Sequence, residues 1–170
     1  MQKVLGIDPG INGAACIIDP VHPPLLTVRD IPTIGEGPRR QINVREFAAW
    51  IGTGEYMVAF IELAMAMPSV VGASGFRRGM GAASAFNFGR AVGALHAMLS
   101  MLGISTEIVA PVKWKGYFGL KGPDKENSRL LALQRFPKCS NLFARKLDHQ
   151  RAEAALIALY GWEKIMRRDD

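Results

Sequence analysis

A chain of 170 residues, 49% of them hydrophobic, fits one compact core better than two half-sized ones, and its longest uncharged windows, Leu63 to Phe76 and Ala91 to Thr106, are too short for a membrane span. The formal net charge of +6 and pI of about 9.6 point toward a polyanionic partner. Its two cysteines, Cys16 and Cys139, stand far apart with no paired spacing, which excludes a disulfide framework or a zinc site built on them.

The N-terminus runs from Lys3 straight into Val4-Leu5-Gly6-Ile7-Asp8, without the apolar stretch and cleavage site of a secretory leader, so the expected compartment is the cytosol. Lys3 to Ile7, Ala14 to Ile18 and Leu25 to Arg29 are short apolar runs separated by the turn signals Asp8-Pro9-Gly10-Ile11-Asn12-Gly13 and Asp19-Pro20-Val21-His22-Pro23-Pro24. They predict three consecutive strands in a meander. Pro32 to Arg40 reads as a loop, and Asn43 as the cap of a helix whose Val44, Phe47, Ala48 and Ile51 share a face. Tyr56 to Ile61 is a fourth strand, ending at Glu62. Pro68 to Ala82, rich in Gly, Ser and Met, predicts an exposed, mobile loop carrying Phe76, Arg77 and Arg78.

From Ala83 to Leu102, apolar residues recur at helical spacing, Gly89, Gly93 and Ala97 form a second face, and Ala94, Met98 and Met101 a third. A helix apolar nearly all round must be covered on two sides, either wholly within the chain or by a second subunit. Ile104 to Val109 predicts a fifth strand, Pro111 to Phe118 a short turn or helix, and Asp124 to Phe136 and Asp148 to Ile165 two further helices. The expected fold class is therefore α/β, a sheet flanked by helices in one domain spanning residues 1–170. Between Lys113 and Arg151, ten basic residues stand against three acidic ones, so the basic excess of the chain is concentrated there.

Three acids stand where acids are costly. Asp8 and Glu62 end apolar strands, and Glu153 is embedded in Ala152-Glu153-Ala154-Ala155-Leu156-Ile157-Ala158. An ionised carboxylate in such surroundings needs a cation, a donor or a raised pKa. If the strands bearing Asp8 and Glu62 are parallel neighbours, their ends lie about 5 Å apart. A hard divalent ion with oxygen ligands would relieve the repulsion, and a pair of such ions is a known device for phosphodiester hydrolysis. Asp148 and Glu153 lie about 140° apart around a helix axis, whereas His149 and Glu153, four residues apart, share a face. Asp148 is favoured as a fourth ligand on hard-oxygen grounds, from a position before the first turn. His149 is its rival, as ligand or general base.

Gly6-Ile7-Asp8-Pro9-Gly10 resembles the opening motif of RuvC-type Holliday-junction resolvases of the ribonuclease H-like superfamily. The resemblance, to phage-type members, continues through Ile61-Glu62-Leu63-Ala64-Met65-Ala66-Met67-Pro68, Ser84-Ala85-Phe86-Asn87-Phe88-Gly89-Arg90, Val109-Ala110-Pro111-Val112-Lys113-Trp114-Lys115 and Arg145-Lys146-Leu147-Asp148-His149-Gln150-Arg151-Ala152-Glu153-Ala154. The last segment departs from the family's usual spacing, in which the final two ligands are often three residues apart.

The resemblance implies a five-stranded mixed sheet, three strands antiparallel and two parallel. It implies Asp8, Glu62, Asp148 and Glu153 as catalytic and metal-binding residues for two Mg²⁺ or Mn²⁺ ions. It further implies a homodimer that nicks a four-way or other branched DNA junction symmetrically, in a bacterial host's cytoplasm if phage-encoded. Phe76 would then act as a stacking wedge, with Arg77, Arg78, Lys113, Lys115 and Lys146 on phosphates. Two competitors are a nuclease of the same superfamily acting on RNA/DNA hybrids or flaps, and a non-catalytic junction-binding protein.

Overall fold

The computed structural model describes residues 3–19, 25–52, 57–63, 70–71, 77–78, 81–120 and 125–167. Strands β1 (Lys3–Asp8), β2 (Ala14–Asp19) and β3 (Leu25–Asp30) form the expected meander, each one residue longer than the apolar run that predicts it. The segment expected to be a bare loop instead holds a small hairpin, β4 (Thr33–Ile34) with β5 (Gln41–Ile42), around a 3-10 turn at Gly37–Arg39. Helix α1 (Val44–Ile51) starts where predicted. The Asn43 side chain accepts from the Glu46 amide at 3.2 Å, satisfying one of the donors a helix start leaves open.

Strand β6 (Met57–Glu62) follows. Within the stretch predicted as a mobile loop, β7 (Val70–Val71) pairs antiparallel with β8 (Arg77–Arg78). The β-branched valines suit a strand, a local preference that the surrounding glycines obscure in the sequence. Phe76 lies outside the described residues, as do the side chains of Arg77 and Arg78. Then come α2 (Ala82–Met101), β9 (Ser105–Val109), α3 (Pro111–Tyr117), α4 (Lys125–Arg135), 3-10 turns at Pro137–Phe143 and Lys146–Asp148, and α5 (His149–Met166). Among the described residues no helix is long and apolar enough to cross a membrane.

The main sheet has the order β3-β2-β1-β6-β9, with β1–β2 and β2–β3 antiparallel and β1–β6 and β6–β9 parallel. Successive side chains on a strand point to opposite faces. Val4 and Phe60 accordingly belong to one core, shared with α5, while Leu5, Ile7, Ala59 and Ile61 belong to the other, shared with α1 and α2.

Helix α5 is the deeply enclosed one, buried from Ala152 through Leu159 between the sheet and α4. Its small residues let its backbone lie almost on the sheet. A Cβ at Gly6 would stand 2.3 Å from both Ala154 O and Ala158 N, and one at Gly161 would stand 2.2 Å from the Phe60 ring.

The two-sided cover expected for α2 is not provided within the described residues. Only Ala91, Leu95, Met98 and Leu99 are buried, while Phe86 is 70% and Met101 89% exposed. Gly89, Gly93 and Ala97 lie on that open side.

Candidate active site

The pair Ile7↔Ile61 is the last of the β1–β6 register, and one step further stand Asp8 and Glu62. Side chains side by side on parallel strands share a face, and adjacent strands run about 4.8 Å apart. Both acids therefore project to the α5 side, where Glu153 sits on the first turns of that helix. Asp8, Glu62, Glu153 and His149 line one cavity of about 610 Å³, together with Lys115 from α3 and Phe88 from α2. Three of the four predicted acids, and the rival His149, are thus gathered by β1, β6 and α5.

Asp148 is not among them. Its carboxylate is 3% exposed and is held by Arg145, whose backbone amide donates to Oδ2 at 2.8 Å and whose Nη2 donates to Oδ1 at 2.7 Å. Those bonds keep the Asp148 carboxyl below the usual carboxylate range. Having both oxygens committed to a guanidinium and a helix-start amide, it has no place on the cavity wall.

His149 takes that place. Its Nδ1 lies 3.3 Å from Lys146 O. A carbonyl can only accept, so in this contact it is Nδ1 that would donate.

The carboxylates are locked by partners of which sequence reading assigns only Lys115 to the site, and that as a phosphate contact. Trp114, fully buried, donates its indole N–H to Glu62 Oε2 at 2.7 Å. Glu153, 7% exposed, accepts from Ser128 Oγ at 3.2 Å and pairs through Oε1 with Lys115 Nζ at 3.0 Å. Ser128 carries no signal in the sequence. Trp114 carries one, an indole between two lysines directly after the fifth strand, where a core role hides its free N–H.

Burial, foremost, and the charge of Glu153 push the Glu62 carboxyl up, against the opposing pull of the Trp114 hydrogen bond and of Lys115. Lys113 is exposed on α3, and Lys146 is exposed away from the cavity lining.

The three carboxylates on this wall are hard oxygen donors of the kind a divalent cation takes, and His149 beside them is a softer nitrogen donor. Glu62 and Glu153 crowd each other, with the Lys115 ammonium as the cation at hand. Among the described residues, no three acidic, histidine or cysteine side chains stand close enough to make a ready coordination group.

Solved structures resemble the chain over nearly its whole length. Thermus thermophilus RuvC in complex with a Holliday-junction substrate matches with a TM-score of 0.55, 17% identity and coverage of 97% of this chain and 96% of that one. A second structure of Thermus thermophilus RuvC matches at 0.54, with 13% identity and 96% of each chain covered. The fold is that of RuvC. No family model matches the sequence, and no match to a curated protein was found. The RuvC-like architecture accounts for the sheet order.

The two rivals for the fourth ligand separate experimentally. His149→Ala is expected to weaken Mn²⁺ binding, followed by calorimetry, by about ten-fold or more with little change in thermal stability. Asp148→Asn should leave Mn²⁺ affinity near that of the wild type and lower Tm by a few degrees, because Arg145 and the helix start lose their anchor. The reverse pattern would restore Asp148 to the metal site.

Proposed function

We propose that this chain, as one nuclease domain, is a structure-selective endonuclease that hydrolyses DNA phosphodiesters at four-way or other branched junctions. We infer that it works as a homodimer with two Mg²⁺ or Mn²⁺ ions in each site. What carries the reading is the gathering of Asp8, Glu62, Glu153 and His149 on one cavity by elements distant in sequence, in a fold shared with a protein solved on a Holliday junction.

Asp8, Glu62 and Glu153, with His149 Nε2, would hold the ions. When bound, such a pair supplies an activated water and charge neutralisation at the leaving oxygen. Trp114 fixes which oxygen of Glu62 faces the cavity, because the other is tied to its N–H. Lys115 neutralises Glu153 in the resting site. Released from that carboxylate, its ammonium is positioned to meet a backbone phosphate. The amide donors at the start of α5 add positive potential at the same wall.

The open side of α2 supports the dimer. Gly89, Gly93 and Ala97 form a groove of small residues between Phe86 and Met101, a surface against which a second copy of the helix can pack closely across a two-fold axis. Phe88 of the same helix lines the cavity, so pairing through α2 would hold two active sites in a fixed relation. Gly93→Leu is expected to convert a dimer to monomers by analytical ultracentrifugation and to uncouple the two nicks.

The deciding experiment offers a labelled synthetic four-way junction, a linear duplex and an RNA/DNA hybrid with and without Mg²⁺, with nicks mapped on each strand. Paired, Mg²⁺-dependent nicks on opposite junction strands are expected. Cutting of the hybrid alone would move the activity to RNA, and binding without any product would leave a junction-binding protein.

A further inference from the structure

Beside the acidic cavity lies a second one of about 320 Å³, whose wall includes Arg40, Arg145 and Asp30. The two share Ile11, Asn12, Gly13, His149 and Gln150, so they are one continuous groove with carboxylates at one end and guanidinium groups at the other.

Both arginines are held in place. Arg40, on the β4–β5 hairpin, donates from Nε to Thr33 Oγ1 at 3.0 Å, from Nη1 to Asn12 Oδ1 at 2.8 Å and from Nη2 to Ile11 O at 3.2 Å. These acceptors are all neutral, so its charge is not balanced by them, and two of the five N–H groups of a guanidinium are left to point elsewhere. Arg145 gives Nε and Nη2 to Asp148 Oδ1 at 3.1 and 2.7 Å, while its side chain stays 66% exposed. Asp30, the acid on this wall, is itself taken by Arg151 through two hydrogen bonds of 2.7 and 2.6 Å. On the cavity wall itself two guanidinium groups, Arg40 and Arg145, stand against the one carboxylate of Asp30, and the groove end is net positive.

Planar forks fixed by their own partners suit a phosphodiester, whose two free oxygens accept in pairs. We propose that the Arg40–Arg145 cavity binds a second backbone phosphate of the bound strand, next to the phosphate presented to Asp8, Glu62 and Glu153. Asp148 then acts as a positioning residue that aims Arg145, which gives its buried carboxylate a role outside the metal site. This inference rests on the nuclease reading above.

The test measures junction affinity of the protein against salt concentration, with Ca²⁺ in place of Mg²⁺, for the wild type, Arg40→Met, Arg145→Met and Arg145→Lys. Circular dichroism and Tm confirm that each variant is folded. Each Met variant is expected to raise Kd about ten-fold at low salt and to reduce the salt slope by about one unit, the amount for one lost phosphate contact. Arg145→Lys should restore the slope and only part of the affinity. An Arg145→Met slope and Kd equal to the wild type would overturn the proposal. So would a wild type stabilised by inorganic phosphate at matched ionic strength with unchanged junction slopes in the variants, which marks a free-phosphate site. Failure of the wild type to bind or cut the junction at all would instead sink the nuclease reading, which separates the two outcomes.

Discussion

Asp8→Asn or Glu62→Gln is expected to lower junction cleavage by at least about a hundred-fold while leaving junction binding near its wild-type strength. Loss of a residue that only supports a metal ligand already costs about 10- to 100-fold, and these two stand on the cavity wall itself. Binding should survive, because the phosphate contacts proposed for Arg40 and Arg145 lie at the other end of the groove.

Glu62→Gln should also raise Tm at neutral pH in the absence of metal. The folded protein holds the Glu62 proton more tightly than the unfolded chain does, since burial and Glu153 both disfavour the ionised form. Below the ordinary carboxylate range the group is protonated in both states and costs nothing. As pH rises through that range toward the raised value, the unfolded chain gives up the proton first, stability falls, and the full cost is present at neutral pH. A glutamine carries no charge and still accepts from Trp114, so each kcal/mol recovered is worth about 2 to 4 °C.

In the wild type, the raised Glu62 carboxyl belongs to the metal-free site, so Mn²⁺ affinity measured by calorimetry should begin to fall with decreasing pH already above the usual carboxylate range, as the ion must displace the Glu62 proton. Cleavage by either variant at a wild-type rate would remove these residues from the reaction. An unchanged or lower Tm for Glu62→Gln would show that neither burial nor the charge of Glu153 strains the carboxylate.

Gly6→Ala should be strongly damaging, because the methyl falls where β1 and α5 meet. The added carbon would meet Ala154 O and Ala158 N at 2.3 Å and Ala158 Cα at 2.8 Å. All are backbone atoms of α5, so no rotamer change relieves the clash, and the helix must retreat by about 1 Å to reach ordinary contact. We expect a loss of at least about 3 kcal/mol, the upper end for overpacking, seen as a drop in Tm of roughly 6 to 12 °C.

Cleavage should fall further than stability does. Glu153 rides on α5 while Asp8 follows Gly6 by two residues on β1, and a misplacement of about 1 Å between catalytic groups can cost a hundred-fold. A Gly6→Ala protein with wild-type Tm would show that helix and strand are not in backbone contact.

Much of this was legible in the sequence because it is local. The Asn43 cap, the meander of β1 to β3 and the costly positions of Asp8, Glu62 and Glu153 follow from turn residues, period-two patterning and acids set in apolar runs. What was not legible depends on who meets whom across the fold. Helical arithmetic already pairs His149 with Glu153, yet hard-oxygen preference and family likeness favoured Asp148. Angular spacing does not encode that Arg145 captures both Asp148 oxygens, and the Mn²⁺ titrations of the His149 and Asp148 variants choose between the two. The Trp114 bond to Glu62 joins residues far apart in the chain. Likewise α2 and α5 are both rich in alanine and leucine, and only the packed structure shows which one the core encloses.

The pleat of β1 and β6 carries a rule for how this protein can vary. Even-numbered positions from Val4 to Asp8 and from Val58 to Glu62 face α5, and odd-numbered ones face the opposite layer. Inserting or deleting one residue upstream within either strand would turn its acid into the α1–α2 core and expose the apolar set to the cavity. Changes of length in these strands are therefore admissible only in twos, whereas the turns between them carry no such parity.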